Sequence, residues 1–189
     1  VDRRQRQMCI RDRYQAAIET DPHLVVAYLE AGELWVKTGN YEEALSLYRA
    51  GLEANPENPR LRQEAAALAL LTGQWGLAEE QVAWLAAEMP GDPLSHTLTA
   101  VLMLSQGRPC REARPELDTA LLLNPDLPLA HYGMALCHIQ EGDHDAARAE
   151  LEFVLGRPDV SHPLRKEAER ALESLTAGGE GAATRDCLL

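Results

Sequence analysis

Six histidines and four cysteines are the side chains of this chain most suited to metal binding or nucleophilic chemistry, so their spacing is the first thing to read. His96 and His131 occupy equivalent points of neighbouring segments, where two rings could approach each other as metal ligands do. A zinc or catalytic site also needs carboxylate or thiolate support at fixed geometry, and a histidine at such a site more often simply packs. Both are read as packing residues. His138 adjoins Cys137 and is discounted in the same way, while His144 and Asp145 begin a helix, where an acid suits the N-terminus. Cys9, Cys110, Cys137 and Cys187 are scattered without a CxxC pair, which reads as reduced thiols rather than a zinc site or a disulfide framework. HExxH, GxGxxG, P-loop and Gly-flanked serine nucleophile motifs are all missing. The expectation is a chain that is not an enzyme and uses no cofactor or metal.

The elements that position these residues are helical. With 46% hydrophobic residues, a single Phe and a formal net charge of −12, the composition reads as a soluble helical chain. No apolar stretch of about 18 residues is present to cross a bilayer. A fixed period organises the chain. Gly39 and Gly73 stand 34 apart, as do Ala44 and Ala78, and Pro56 and Pro90. Gly107 and Gly142 continue the glycine series and Ala113 and Ala147 the alanine series, with one extra residue in RPCREA before Ala113.

Each unit reads helix, tight turn, helix, as in VAYLEAGELWVKTGN followed by YEEALSLYRAGLEANP. This pattern resembles the tetratricopeptide repeat, in which a small residue in the first helix and an alanine in the second let the helices pack closely and a proline ends the unit. The first small site holds Gly32, Ala66, Ala100 and Ala135, and the second Ala44, Ala78, Ala113 and Ala147. Tyr28, Trp35, Tyr41 and Tyr48 fill the aromatic sites of the first repeat, whereas Arg62, His96 and His131 replace the first aromatic later on. The resemblance implies an all-α fold, a right-handed α-solenoid of stacked helix-turn-helix repeats. Four repeats are expected, at 25–58, 59–92, 93–127 and 128–161, the last with Pro158 one residue early. Residues 14–24 read as the remnant of a preceding repeat, 162–175 as a capping helix with a polar outer face, and 176–189 as a flexible tail or linker.

At the start stands RRQRQMCIRDR, which holds five of the eighteen basic residues. Such a cluster reads as a phosphate-binding arm or a targeting segment. Its back-translation, however, resembles a transposase-type sequencing-library adapter, and DCLL at the other end resembles the same element on the opposite strand. Residues 1–13 are therefore read as an adapter artefact, and the chain is expected to be a fragment of a larger bacterial-type protein of metagenomic origin. Removing the five Arg with Asp2 and Asp12 leaves 13 basic and 28 acidic residues of the original 18 and 30. That field disfavours nucleic acid and anionic membrane and favours basic or neutral partners. A cytoplasmic location is expected.

Function is then sought on the concave face, which the first helix of each repeat lines in this family. By analogy the groove positions are Val26, Leu29, Glu33 and Val36, then Gln63, Ala67 and Leu70. The third repeat adds Leu94, Thr97, Val101 and Leu104, and the fourth Leu129, Tyr132, Leu136 and Ile139. The groove is mostly apolar, although such side chains also serve packing between neighbouring first helices. Relatives that clamp a partner's C-terminal carboxylate do so with Lys, Asn and Arg. Here those sites hold Leu29, Glu33, Glu64, Leu94 and Leu98, or one repeat later Gln63, Ala67, Leu98, Leu129 and Gly133, so carboxylate-clamp chaperone binding is not expected. The expected function is a non-catalytic scaffold for a protein or peptide segment with apolar anchors and basic flanks. The rival is an accessory segment of a larger glycosyltransferase- or sulfotransferase-type enzyme.

Overall fold

The computed structural model describes residues 3–177, and their regular structure is entirely helical. In order the helices are α1 (Arg3–Thr20), α2 (Val25–Lys37), α3 (Tyr41–Ala54), α4 (Pro59–Leu71) and α5 (Trp75–Glu88). They continue as α6 (Pro93–Ser105), α7 (Cys110–Leu123), α8 (Pro128–Glu141), α9 (His144–Gly156) and α10 (His162–Ala177). Residues 1–2 of the adapter-like arm and 178–189 of the expected linker lie outside the described residues. Helix α1 runs from the Arg-rich segment into YQAAIET without a break and packs on α2.

Helices α2/α3, α4/α5, α6/α7 and α8/α9 form antiparallel pairs, and small residues let them close. Ala44, Ala78, Ala113 and Ala147 are all completely buried, as are Ala66, Ala100 and Ala135 in the facing helices. At Gly32 even a methyl group would collide with the Tyr48 ring, so this site tolerates only hydrogen. The turn inside each pair passes through a glycine at φ between +74° and +78°, the left-handed region that other residues enter at a cost.

Polar groups set the ends of the helices. Asn58 and Asp92 accept from the backbone N–H of Leu61 and Ser95, at 3.0 and 2.8 Å, and a proline follows each cap at the first helical position, where its missing N–H costs nothing. Asp143 caps α9 through Ala146 N–H at 3.1 Å. The extra residue in RPCREA lengthens the turn before α7, and Gln140 holds that turn by accepting from Cys110 N–H at 2.8 Å and donating to the Arg108 carbonyl at 3.2 Å.

In three of the repeats the side chain at the first aromatic site ties down the connection before it. Tyr28 donates to the Pro22 carbonyl at 3.1 Å, Arg62 through Nε to the Pro56 carbonyl at 2.9 Å, and His131 Nε2 meets the Pro125 carbonyl at 2.8 Å. Three different side chains thus satisfy the equivalent backbone oxygen of three inter-repeat turns.

One expectation is corrected. The scatter of the cysteines points to reduced thiols, but Cys110, at the start of α7, and Cys137, in α8, form a disulfide with Cα atoms 5.0 Å apart, within the range such a bond spans. Both side chains are buried, so the bond fastens the second helix of one pair to the first helix of the next from within the core.

Candidate functional site

Helices α2, α4, α6 and α8 pack one after another along the inner side of the stack. The next helix, α10, packs on α9 but also reaches back to α4 and α2. Connections between the earlier pairs have four residues, as at 55–58, 89–92 and 124–127, whereas residues 157–161 before α10 make five. Arg165 fastens that link, donating to the Leu155 and Arg157 carbonyls at 3.0 and 2.6 Å. The returning helix meets the first repeat where the Tyr41 hydroxyl contacts His162 Nδ1 at 2.5 Å.

Between α10 and the inner helices lies a cavity of about 450 Å³. Leu70, Leu71, Trp75, Val101 and Tyr132 give it apolar and aromatic walls, contributed by three successive repeats. Glu42 and Glu43, in the first turn of α3, stand on one side, and Pro163, Lys166, Glu167 and Arg170 of α10 on another. Burial pushes the Glu167 carboxyl above its ordinary range, against the opposing pull of Arg170 and Lys166. Burial and then the nearby Glu167 raise the Tyr41 phenol in the same way.

The structure distributes the sequence-derived groove residues unevenly. Leu70, Val101 and Tyr132 line the cavity, although each is itself buried, with 6%, 4% and 3% of its surface exposed. Val36, Thr97, Leu104 and Leu136 are buried between helices, and Thr97 returns its hydroxyl to the Pro93 carbonyl at 2.8 Å. Leu29 and Ile139 are half-buried against the core. Glu33 is exposed and paired with Lys37 at 2.6 Å, and Gln63 donates to Asp92, the cap of α6, at 3.0 Å. Near Glu33, burial raises the Glu64 carboxyl and Glu33 adds to the effect, with Arg60 opposing. The groove analogy omits the α10 residues and Tyr41, Glu42, Glu43 and Trp75. The signal in the sequence that could have found them was the helical stripe 163, 166, 167 and 170, together with the early Pro158.

The histidines lie apart from this cavity, except that His162 touches its neighbour Tyr41. His96 Nδ1 meets Glu116 at 2.6 Å and His131 Nδ1 meets Glu150 at 2.6 Å, each within its own helix pair, and the His131 ring stacks on Phe153. His138 Nδ1 is buried without a hydrogen-bond partner, Glu141 being 3.8 Å away. Among the described residues no group of three or more His, Cys, Asp or Glu is placed to hold a metal ion. Likewise, no helix among them is long and apolar enough to cross a membrane.

A row of paired helices with a lined inner face defines an all-helical repeat solenoid of the protein-interaction type. The sequence profile described as Tetratricopeptide repeat matches residues 36–102 and 104–156, a second profile of that description matches 11–59, and the chain belongs to this family. Its fold is similar to that of YrrB, described as a TPR protein with an unusual peptide-binding site, at 20% identity and a TM-score of 0.57 over 88% of this chain and 84% of that one. It is also similar to a thermophilic TPR protein of Thermus thermophilus, at 23% identity and a TM-score of 0.57 over 80% of each chain. A chain of the APC/C hetero-tetramer Cut9-Hcn1 gives a TM-score of 0.68 at 16% identity, over 90% of this chain and 33% of that one. Among curated proteins no sequence match was found.

Proposed function

We propose that the chain is a non-catalytic tetratricopeptide scaffold that holds a protein segment in the cavity of its concave face. The observation that carries this reading is the combination of Leu70, Val101, Trp75 and Tyr132 on the walls with Glu42 and Glu43 beside them. Apolar walls reward burial of Leu, Ile or Phe anchors, and the acids favour Lys or Arg around those anchors. The net charge of −12 extends the same preference over longer range. Of the groove residues, Leu70, Val101 and Tyr132 contact the partner, while Val36, Thr97, Leu104 and Leu136 hold the helices that present them. Leu29, Glu33, Gln63 and Ile139 extend the path along the inner face. YrrB, whose fold is similar, is described as having a peptide-binding site, which is in keeping with a peptide-binding role for this chain. A free carboxylate is a poor ligand here, because Glu33 and Glu64 stand where a clamp would need cations.

The test is a display selection of random 12-residue peptides on the full chain, followed by Trp75→Ala and Glu42→Gln/Glu43→Gln. Enriched peptides should carry apolar and basic residues, and Trp75→Ala should weaken them by more than about 1 kcal/mol, as removal of a central anchor does. Added salt should slow association more than it speeds release, because the acids steer while the apolar walls hold. Enrichment of acidic peptides, or binding indifferent to both variants, rejects the cavity as the site.

A further inference from the structure

The two faces of α10 do different work. Leu164, Ala168, Ala171 and Leu175 recur at helical spacing and are buried, and they are the apolar stripe of a helix packed on α9. Pro163, Lys166, Glu167 and Arg170, at positions i, i+3, i+4 and i+7, form a second stripe that lines the cavity. A helix that only covered the end of the stack would turn this charged stripe to solvent. Here Lys166 and Arg170 remain exposed, but they line the same cavity as the acids Glu42, which accepts from Gln74 at 3.0 Å, and Glu43, and the Tyr41–His162 contact holds the first turn of α10 in place.

We propose that α10 is a displaceable guard: its Lys166–Arg170 stripe is the intramolecular occupant of the cavity mouth, and a partner segment carrying Lys or Arg takes its place. The proposal rests on the reading of the cavity as a partner site and names the step that regulates it. Charge complementarity identifies the occupant, since the stripe offers the acids the same two cations that a basic partner would. Arg170 keeps 44% of its side chain exposed while pairing with Glu167 at 2.9 Å, and attraction between such solvated groups is weak and screened. The guard is therefore loosely held on this face, whereas the apolar stripe keeps the helix attached to α9. Because the guard is tethered, it competes at an effective concentration on the order of millimolar, and the partner's apparent affinity falls by the fraction of molecules in which the mouth is closed.

The experiment uses the full chain and a fluorescein-labelled dodecapeptide of alternating Leu and Lys, with a Leu/Glu peptide as control. The Leu/Lys peptide should bind, and Lys166→Ala/Arg170→Ala should bind it about tenfold more tightly, having lost the internal competitor. Hydrogen exchange on the unmodified chain supplies the second reading: saturating peptide should speed exchange over residues 162–171. Equal or weaker binding by the double variant, or slower exchange in 162–171 on binding, overturns the guard and leaves the partner site standing. Failure of the peptide to bind either protein overturns both.

Discussion

The Tyr41 hydroxyl lies 2.5 Å from His162 Nδ1 although 121 residues separate them, which joins the first repeat to the helix that follows the last. Each lies at the first position of its helix, Tyr41 in α3 and His162 in α10, so the contact fixes where the returning helix lands. A neutral ring accepts from the phenol, and Phe in place of Tyr41 keeps the ring but loses the donor.

Tyr41→Phe should therefore cost about 0.5–1.5 kcal/mol of stability in urea titration, the net worth of one such bond. In a double-mutant cycle, the combination with His162→Ala should cost little more than either change alone. Additive losses would show that the two groups do not act on each other.

The helix pairs make a second demand that substitution can test. Ala78 and Ala113 are completely buried, each in the second helix of its pair. Ala78→Leu and Ala113→Leu should each destabilise by about 1–3 kcal/mol through overpacking. Leu122, 85% exposed on α7, is the control, and Leu122→Ala should stay within about 0.5 kcal/mol of the parent. Melting of either leucine variant like the parent would mean that the alanine is not at the crossing.

The pattern of glycine, alanine and proline made the repeat fold legible, because each of those residues answers a local geometric need. Gly73 enters the left-handed region and Ala66 and Ala100 fit the crossings, so their spacing reports the unit directly. The binding face was legible only in part. Helical period shows which way Val36, Thr97, Leu104 and Leu136 point, but neighbouring inner helices bury that side against one another. How far a solenoid closes depends on small rotations at each pair, and these have no residue signature. The return of α10 depends on one extra residue in the 157–161 link, whose backbone path the sequence does not specify.

The disulfide was illegible for a related reason. Cys110 and Cys137 meet because the lengthened turn before α7 sets Cys110 beside α8, a relation that CxxC spacing rules do not cover. The bond closes a sequence separation of 27 residues, so in the chain-entropy view reduction should cost about 3–4 kcal/mol. Thermal melts with and without dithiothreitol measure that loss, and alkylation of the denatured chain should leave Cys110 and Cys137 unlabelled unless it is first reduced. Labelling of both without reduction would refute the bond.

Glu167 gives the closing helix a pH dependence whose sign can be worked out. Burial raises its carboxyl in the folded chain above its ordinary value, while Arg170 and Lys166 pull the other way. A raised acid means that the folded state binds the proton more tightly than the unfolded one does, so ionisation at neutral pH opposes folding. The penalty is full above the folded value, shrinks as pH falls toward the ordinary carboxylate range, and is absent below it. Glu167→Gln, which is neutral at every pH, should raise the melting temperature at pH 7, and that gain should fade to nothing by about pH 4. Parallel melts of parent and variant from about pH 4 to about pH 7.5 measure the difference. A loss at pH 7 that fades toward low pH would mean that the pair with Arg170 outweighs burial, and Glu167 would then be holding α10 closed rather than straining against it.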